Sequence, residues 1–376
     1  MNKSGLYIHI PFCRRKCNYC DFYLITNLNV IEKFLENLLK EIELLSKTKI
    51  FGEFDTIFFG GGTPSVLTGK QIDNILNSLN KFFIINEKAE ISIESNPEDF
   101  INDANKLSEY STYGINRLSL GIQSFVDKEL KFLTRQHNAN EAETVINQAK
   151  KYFKNISVDI IYSLPSQNLD DLNITLNKVC KLNIPHISAY TLIFEKNTVL
   201  YNEFKKNNIN QNSDFLESEL YHYLTEYLLR KGYEHYEVSN YSVKGFESEH
   251  NKKYWNYENY LGLGPGAHSF INYKRWNNVR NIMKYNISLQ NNNLPVENEC
   301  ELNSNEMNTE FIMLGLRSAG VNLINYERIF KCDFINKYRK EITLLTDDGY
   351  GFTKNNFFRL TEKGYAILDE IVARFF

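Results

Sequence analysis

The chain has 376 residues, 43% of them hydrophobic and 24% charged, with a formal net charge of −3. That length exceeds what one compact core usually carries, so one large domain plus one or two small ones is expected, and the charge balance leaves no nucleic-acid footprint. No apolar run approaches a membrane span, and the opening MNKSGLYIHI is interrupted too soon for a secretory signal, which makes the cytoplasm the expected location.

Residues 6–10 read as a strand and lead into a run of three cysteines, Cys13, Cys17 and Cys20. Val30, Phe34, Leu38, Ile42 and Leu45 then mark one face of a helix. Residues 55–59 form a second strand ended by Gly60, Gly61 and Gly62, and Ile72, Ile75, Leu76 and Leu79 predict the next helix. Further strands are expected at 90–94, 117–121, 156–162 and 186–192, with helical patterns between them. Alternation of this kind means right-handed crossovers and a parallel sheet. Six such units fit a partial (βα)6 barrel better than a small open sheet, although periodicity alone leaves a doubly wound sheet open. After about residue 212 come a helix over 215–229, a strand over 233–238 and an aromatic, Gly- and His-containing stretch over 250–270. From about residue 300 a small α+β unit of winged-helix-like shape is expected. The domain division is therefore 1–212, 213–299 and 300–376. A winged helix suggests DNA only by fold analogy, and the charge does not support it.

The cysteine run carries the sharpest chemical meaning. Three thiolates in a C-x3-C-x2-C spacing suit a [4Fe–4S] cluster with one iron left open to a small molecule. Structural zinc would need a fourth ligand, and no C-x2-C or H-x3-H partner lies nearby. His9 lies within a strand and reads as a core or lining histidine. Six sparse cysteines, three of them bunched, argue against disulfides. Arg14, Arg15 and Lys16 are expected to favour thiolate over thiol.

The other unusual polar residues fall at the C-terminal ends of the expected strands, the face on which βα barrels build their sites. Gly60-Gly61-Gly62-Thr63-Pro64 would let backbone approach a ligand; it could equally be a plain turn, and it lacks the G-x4-G-K-S/T of a phosphate loop. Glu94 ends the third strand, Gln123 the fourth, and Arg135 follows it. Asp159 stands inside the apolar fifth strand, where a charge needs a partner. Singly each could be a structural hydrogen bond. As a set on one rim they offer partners for an ammonium, a carboxylate and ribose hydroxyls.

These residues in this order resemble the radical S-adenosylmethionine (SAM) enzymes, within them the oxygen-independent coproporphyrinogen III oxidase-like family. The likeness runs over nearly the whole chain, through the segment from Tyr7 to Cys13, the three cysteines, GGGTP, GIQSF and DIIYSLP. It implies that Cys13, Cys17 and Cys20 bind the cluster and that SAM chelates its open iron. Gly61, Gly62 and Thr63, helped by Glu94, would hold the methionyl end. Gln123, Arg135 and Asp159 would contact its other polar groups, with Tyr7 and Tyr19 packed near it. Two departures separate the chain from the oxidase itself: Phe22 stands where the oxidase has a fourth cysteine, and only twelve residues precede Cys13. The run from His250 to Trp255 matches the H-N-x-x-Y-W signature of a branch proposed to be heme chaperones. Membership of that branch implies heme binding, transfer to acceptors such as respiratory-chain proteins, and no oxidase activity. Reductive cleavage of SAM to a 5′-deoxyadenosyl radical stays open to it. The alternative is coproporphyrinogen III oxidation. His250 is the expected heme ligand, with Tyr254 and Trp255 against the porphyrin. A buried histidine in an aromatic cluster is the plainer reading, and His268 is a second candidate ligand. A homodimer and at most peripheral membrane contact complete the expected partnerships.

Overall fold

The computed structural model describes residues 3–48, 51–101, 103 and 105–376. Six strands alternate with helices: β1 (Ser4–Ile10), β2 (Glu53–Gly61), β3 (Ile84–Ser95), β4 (Arg117–Gln123), β5 (Asn155–Tyr162) and β6 (His186–Thr191). Each pairs in parallel with the next. Because they lie side by side in sequence order, the winding never reverses, as it would in a doubly wound sheet. Alternate residues of a strand face opposite ways. On β1, Leu6, Ile8 and Ile10 share the outer core with Phe34, Leu38 and Ile42 of the helix Ile31–Ser46. Each such side chain contributes about 1.5–3 kcal/mol of burial. The interleaved residues turn to the barrel centre and are polar: His9 on β1, Glu94 on β3, Ser119 on β4, Asp159 on β5.

β3 begins at Ile84, six residues before the strand expected from sequence. Its first residues pair with the start of β2 across a register shift between Phe54 and Thr56, and an irregular pairing of this kind leaves no alternation to read.

The strands between β6 and about residue 301 lengthen the same sheet at both edges. β7 (Glu234–Glu237) and β8 (Asn240–Ser242) form a hairpin beside β6, and β9 (Tyr260–Leu263) runs parallel beside β1. β10 (His268–Ile271), β11 (Lys274–Asn278) and β12 (Val296–Glu301) follow outward, giving twelve strands in one sheet. Beyond it, helices starting at Ser304 enclose a small antiparallel sheet of β13 (Val321–Asn322), β14 (Gly351–Lys354) and β15 (Phe357–Leu360), with β15 in the centre. A second core holds this unit together; in it Phe311, Tyr326, Phe334 and Phe358 pack with Tyr257 and Phe270 of the preceding segment.

The abundant asparagines have structural uses. Asn138, Asn168 and Asn303 each cap a helix in reciprocal boxes with Glu141, Asp171 and Glu306. Asn183, Asn197, Asn207, Asn272, Asn292, Asn355 and Asn356 adopt positive φ, where asparagine substitutes for glycine.

Candidate functional site

The cysteine loop is closed at its base by backbone. Ile25 N donates to Pro11 O (2.6 Å) and Cys13 N to Ile25 O (3.1 Å). The loop is pinned from outside as well: Asn18 Nδ2 donates to Phe132 O (2.8 Å) and Leu200 N to Asn18 O (2.9 Å). Beside it the strand end of β2 lies against β1. Gly62 N donates to Ile10 O (2.9 Å) and Thr63 N to Phe12 O (2.7 Å). Glycine is required here. A Cβ on Gly62 would come 2.7 Å from Phe12 O, and one on Gly61, at φ +113, would lie 2.6 Å from the His9 ring.

Cys13, Cys17, Tyr19, Cys20, Gly61, Gly62, Thr63, Glu94, Gln123, Arg135 and Asp159 all line a single cavity of about 500 Å³ at the C-terminal ends of the strands. Cys13 Sγ lies 3.0 Å from Thr63 Oγ1. Arg135 donates to Asn96 Oδ1 (2.6 Å) and Gly121 O (2.8 Å), has a terminal nitrogen 3.7 Å from Cys17 Sγ, and keeps its Nε buried without a partner. Gly61 N donates to Glu94 Oε2 (3.1 Å), and Ser119 Oγ to Asp159 (3.1 Å). Burial, reinforced by the neighbouring Asp159 charge, pushes the Glu94 carboxyl up to about 8. Burial also raises Asp159, against the hydrogen bonds from Ser188 and Ser119. Two buried carboxyls raised in this way suit a cationic guest, whose charge favours their ionised form.

Tyr7 stands outside that cavity wall. Its hydroxyl meets His9 Nδ1 at 3.1 Å and its ring stacks on Phe58, one layer below the glycines. At Cys13 and Cys20 burial outweighs the basic run. Arg14 is committed to Asp99 (2.7 Å), and burial pushes the Cys13 thiol up to about 12 despite the Thr63 hydrogen bond. Burial raises Cys20 too. Desolvation outweighs flanking charges that face solvent.

His250 is placed differently from its expected role. The helix Glu249–Trp255 closes the end of the barrel opposite the cysteines, with His250 wholly inaccessible. Its Nδ1 meets Thr56 Oγ1 and its Nε2 meets Tyr254 OH, each at 2.8 Å, while its ring stacks on Phe58. Both nitrogens are occupied, so neither is open to a heme iron in this conformation. Asn96 and Tyr190, passed over in the sequence, belong to the cavity. Asn96 joins Thr63 Oγ1 (3.1 Å) to Arg135; its place just past a strand end, before Pro97, was the available signal.

No three His, Cys, Asp or Glu side chains among the described residues converge as one metal ion would require. In an iron–sulfur cube each thiolate takes a different iron, so the ligands stand further apart than around zinc. Three free thiols at the mouth of a cavity with an orphaned guanidinium nitrogen and two carboxyls raised by burial fit the cluster with SAM.

Residues 7–179 match the family model of the radical SAM superfamily. The heme chaperone HemW of Lactococcus lactis is 33% identical over 99% of this chain and 97% of its own length. That of Bacillus subtilis is 33% identical over 99% of both. Among solved structures, coproporphyrinogen III oxidase (HemN) from Escherichia coli superposes with a TM-score of 0.85 at 21% identity, covering 100% of this chain and 90% of that one, a likeness of fold. A superfamily match over the barrel and full-length relatives at this identity place the chain in the radical SAM superfamily, whose membership implies a [4Fe–4S] cluster and SAM, and within it in the family of the HemW proteins.

Proposed function

We propose that the protein is a heme chaperone that binds heme in the cytoplasm and hands it to acceptor proteins, such as those of a respiratory chain, while its barrel holds a cluster and SAM. The full-length relationship to proteins named heme chaperone HemW carries this reading. The cavity supports it. Its rim is apolar and open: Phe22 is 69% exposed, Ile193 63% and Tyr190 45%. Exposed apolar surface of this kind beside a polar pocket marks a contact site, and a porphyrin or its acceptor would cover it. No helix among the described residues is long and apolar enough to cross a membrane, so membrane-bound acceptors would be met peripherally; a homodimer belongs to the same reading.

Cys13, Cys17 and Cys20 would hold the cluster, which when bound supplies an open iron and an electron for SAM. Glu94, facing the cavity beside Gly61 N, would take the SAM ammonium once ionised. Gly61, Gly62 and Thr63 would present backbone and hydroxyl to the methionyl end. Arg135 would orient the guest through Asn96 and the Gly121 carbonyl, and Gln123, Asp159 and Tyr19 would complete the wall. The test is a hemin titration beside a coproporphyrinogen III assay on one anaerobically reconstituted sample with SAM and reductant. A Soret band without protoporphyrinogen formation is expected; clear decarboxylation would overturn the chaperone reading in favour of an oxidase.

A further inference from the structure

Heme iron takes a nitrogen with a free lone pair. His137, His186, His235 and His250 each have both ring nitrogens within hydrogen-bonding distance of protein. His9 is buried, with Nδ1 on Tyr7 OH. His222 and His268 are exposed. His222 lies on the helix Asp214–Arg230, away from its buried Leu220, Leu224 and Leu228.

His268 is set in different surroundings. It shares a face of β10 with Phe270, which pairs with Tyr260 of β9. Tyr260 in turn pairs alongside Gly5, and its ring stands edge-on to Tyr254 at 4.6 Å, so this face is the one turned toward the barrel centre. Between β10 and the His9 end of β1 runs the stretch of Gly262 and Gly264. A Cβ on Gly264 would come 2.5 Å from His9 O, and one on Gly262 would strike His268 O. The absence of side chains there lets the two histidine-bearing segments close on one strip of backbone. Tyr23 stacks on the His9 ring with centroids 6.3 Å apart, and the Arg280 guanidinium lies 5.9 Å from the Tyr23 centroid. Arg280 is exposed and donates to Asp21 O (3.2 Å), with no carboxylate at ion-pair distance among the described residues. Arg275, by contrast, is taken by Glu310 at 2.7 Å.

Building on the proposed function, we infer that heme docks on this flank of the cluster loop, its iron on His268 and a propionate on Arg280, with Tyr23 at its edge. A nitrogen for iron, an aromatic side chain beside the macrocycle and a guanidinium with no carboxylate partner are three recognition elements for iron protoporphyrin. Arg280 also holds the carbonyl of Asp21, the residue after Cys20. A propionate that takes the guanidinium therefore pulls directly on the loop that carries the cluster.

The experiment is anaerobic hemin titration of the full chain, followed by Soret absorbance. His268→Ala is expected to raise the hemin Kd about tenfold or more and shift the Soret maximum. Imidazole added to His268→Gly is expected to restore both. Arg280→Ala is expected to weaken hemin several-fold and leave the dimethyl ester of hemin unaffected, while His222→Ala binds as wild type. Wild-type protein that binds hemin alongside a His268→Ala variant of equal Kd and spectrum overturns this inference and leaves the proposed function standing. Wild type with no Soret band overturns both.

Discussion

His250→Ala separates a structural from a ligating role for the H-N-x-x-Y-W run. The ring accepts or donates two buried hydrogen bonds, to Thr56 Oγ1 and Tyr254 OH, and lies against Phe58 at 5.1 Å between centroids. Each bond contributes about 1 kcal/mol net, and each hydroxyl stranded by its loss costs roughly 1–3 kcal/mol more. The cavity left beside Phe58 adds to this, so a loss of about 3–5 kcal/mol is expected. With a urea slope near 3 kcal/mol/M the midpoint falls by about 1 M or more. The pH dependence gives a second signature. Burial, with the Lys253 charge behind it, lowers the ring to about 3, so the unfolded chain takes up its proton first. The stabilisation is complete above the unfolded value of about 6.5 and is lost as pH falls toward 3, by up to about 1.4 kcal/mol per pH unit. His250→Ala removes that component of the slope. Urea unfolding followed by circular dichroism between pH 4 and 7, with a hemin titration on the same variant, measures all three. A variant as stable as wild type that has lost its Soret band would refute the reasoning, because it would make the ring an accessible ligand.

Three further outcomes follow from the cavity. SAM affinity, measured by equilibrium dialysis, should rise from pH 6 to pH 8 by up to about tenfold per unit, because Glu94, raised by burial to about 8, must ionise to meet an ammonium; Glu94→Gln should bind weakly with a flat profile, and a flat wild-type profile would count against that contact. Gly62→Ala should lower the iron content of reconstituted protein severalfold, since its Cβ meets the backbone of Phe12 and Pro11 at 2.7–3.0 Å, atoms that move only with the cysteine loop; unchanged iron would show that the loop can yield. Replacing Cys13, Cys17 and Cys20 together with alanine should abolish the brown absorbance and largely spare heme binding. Brown colour retained there would place the cluster ligands elsewhere.

Much of this could be read along the chain because it is written in contiguous residues. The six parallel strands declare themselves as apolar runs, and β4 begins at the expected Arg117. The cavity residues cluster because each follows a strand end, and parallel strands bring all such ends to one face. Where the reading failed, the deciding neighbour was distant in sequence. The expectation of acidic thiols rested on Arg14, Arg15 and Lys16, whereas burial raises the Cys13 thiol despite the Thr63 hydrogen bond. Asn96 gains its role from Arg135, 39 positions on in the chain.

The sequence by itself determined the parallel architecture, the three thiols and the glycine-lined strand end, since periodicity and motif spacing act through local backbone geometry. It also put His250 and Tyr254 four residues apart, on one side of a helical turn. Only the tertiary structure decided which way that side looks. Thr56 on β2, 194 positions away in the chain, captures the imidazole and turns it into the barrel floor, because a buried ring nitrogen must find a partner and the sheet offers one there. The same folding leaves His268 outside with its nitrogens unclaimed.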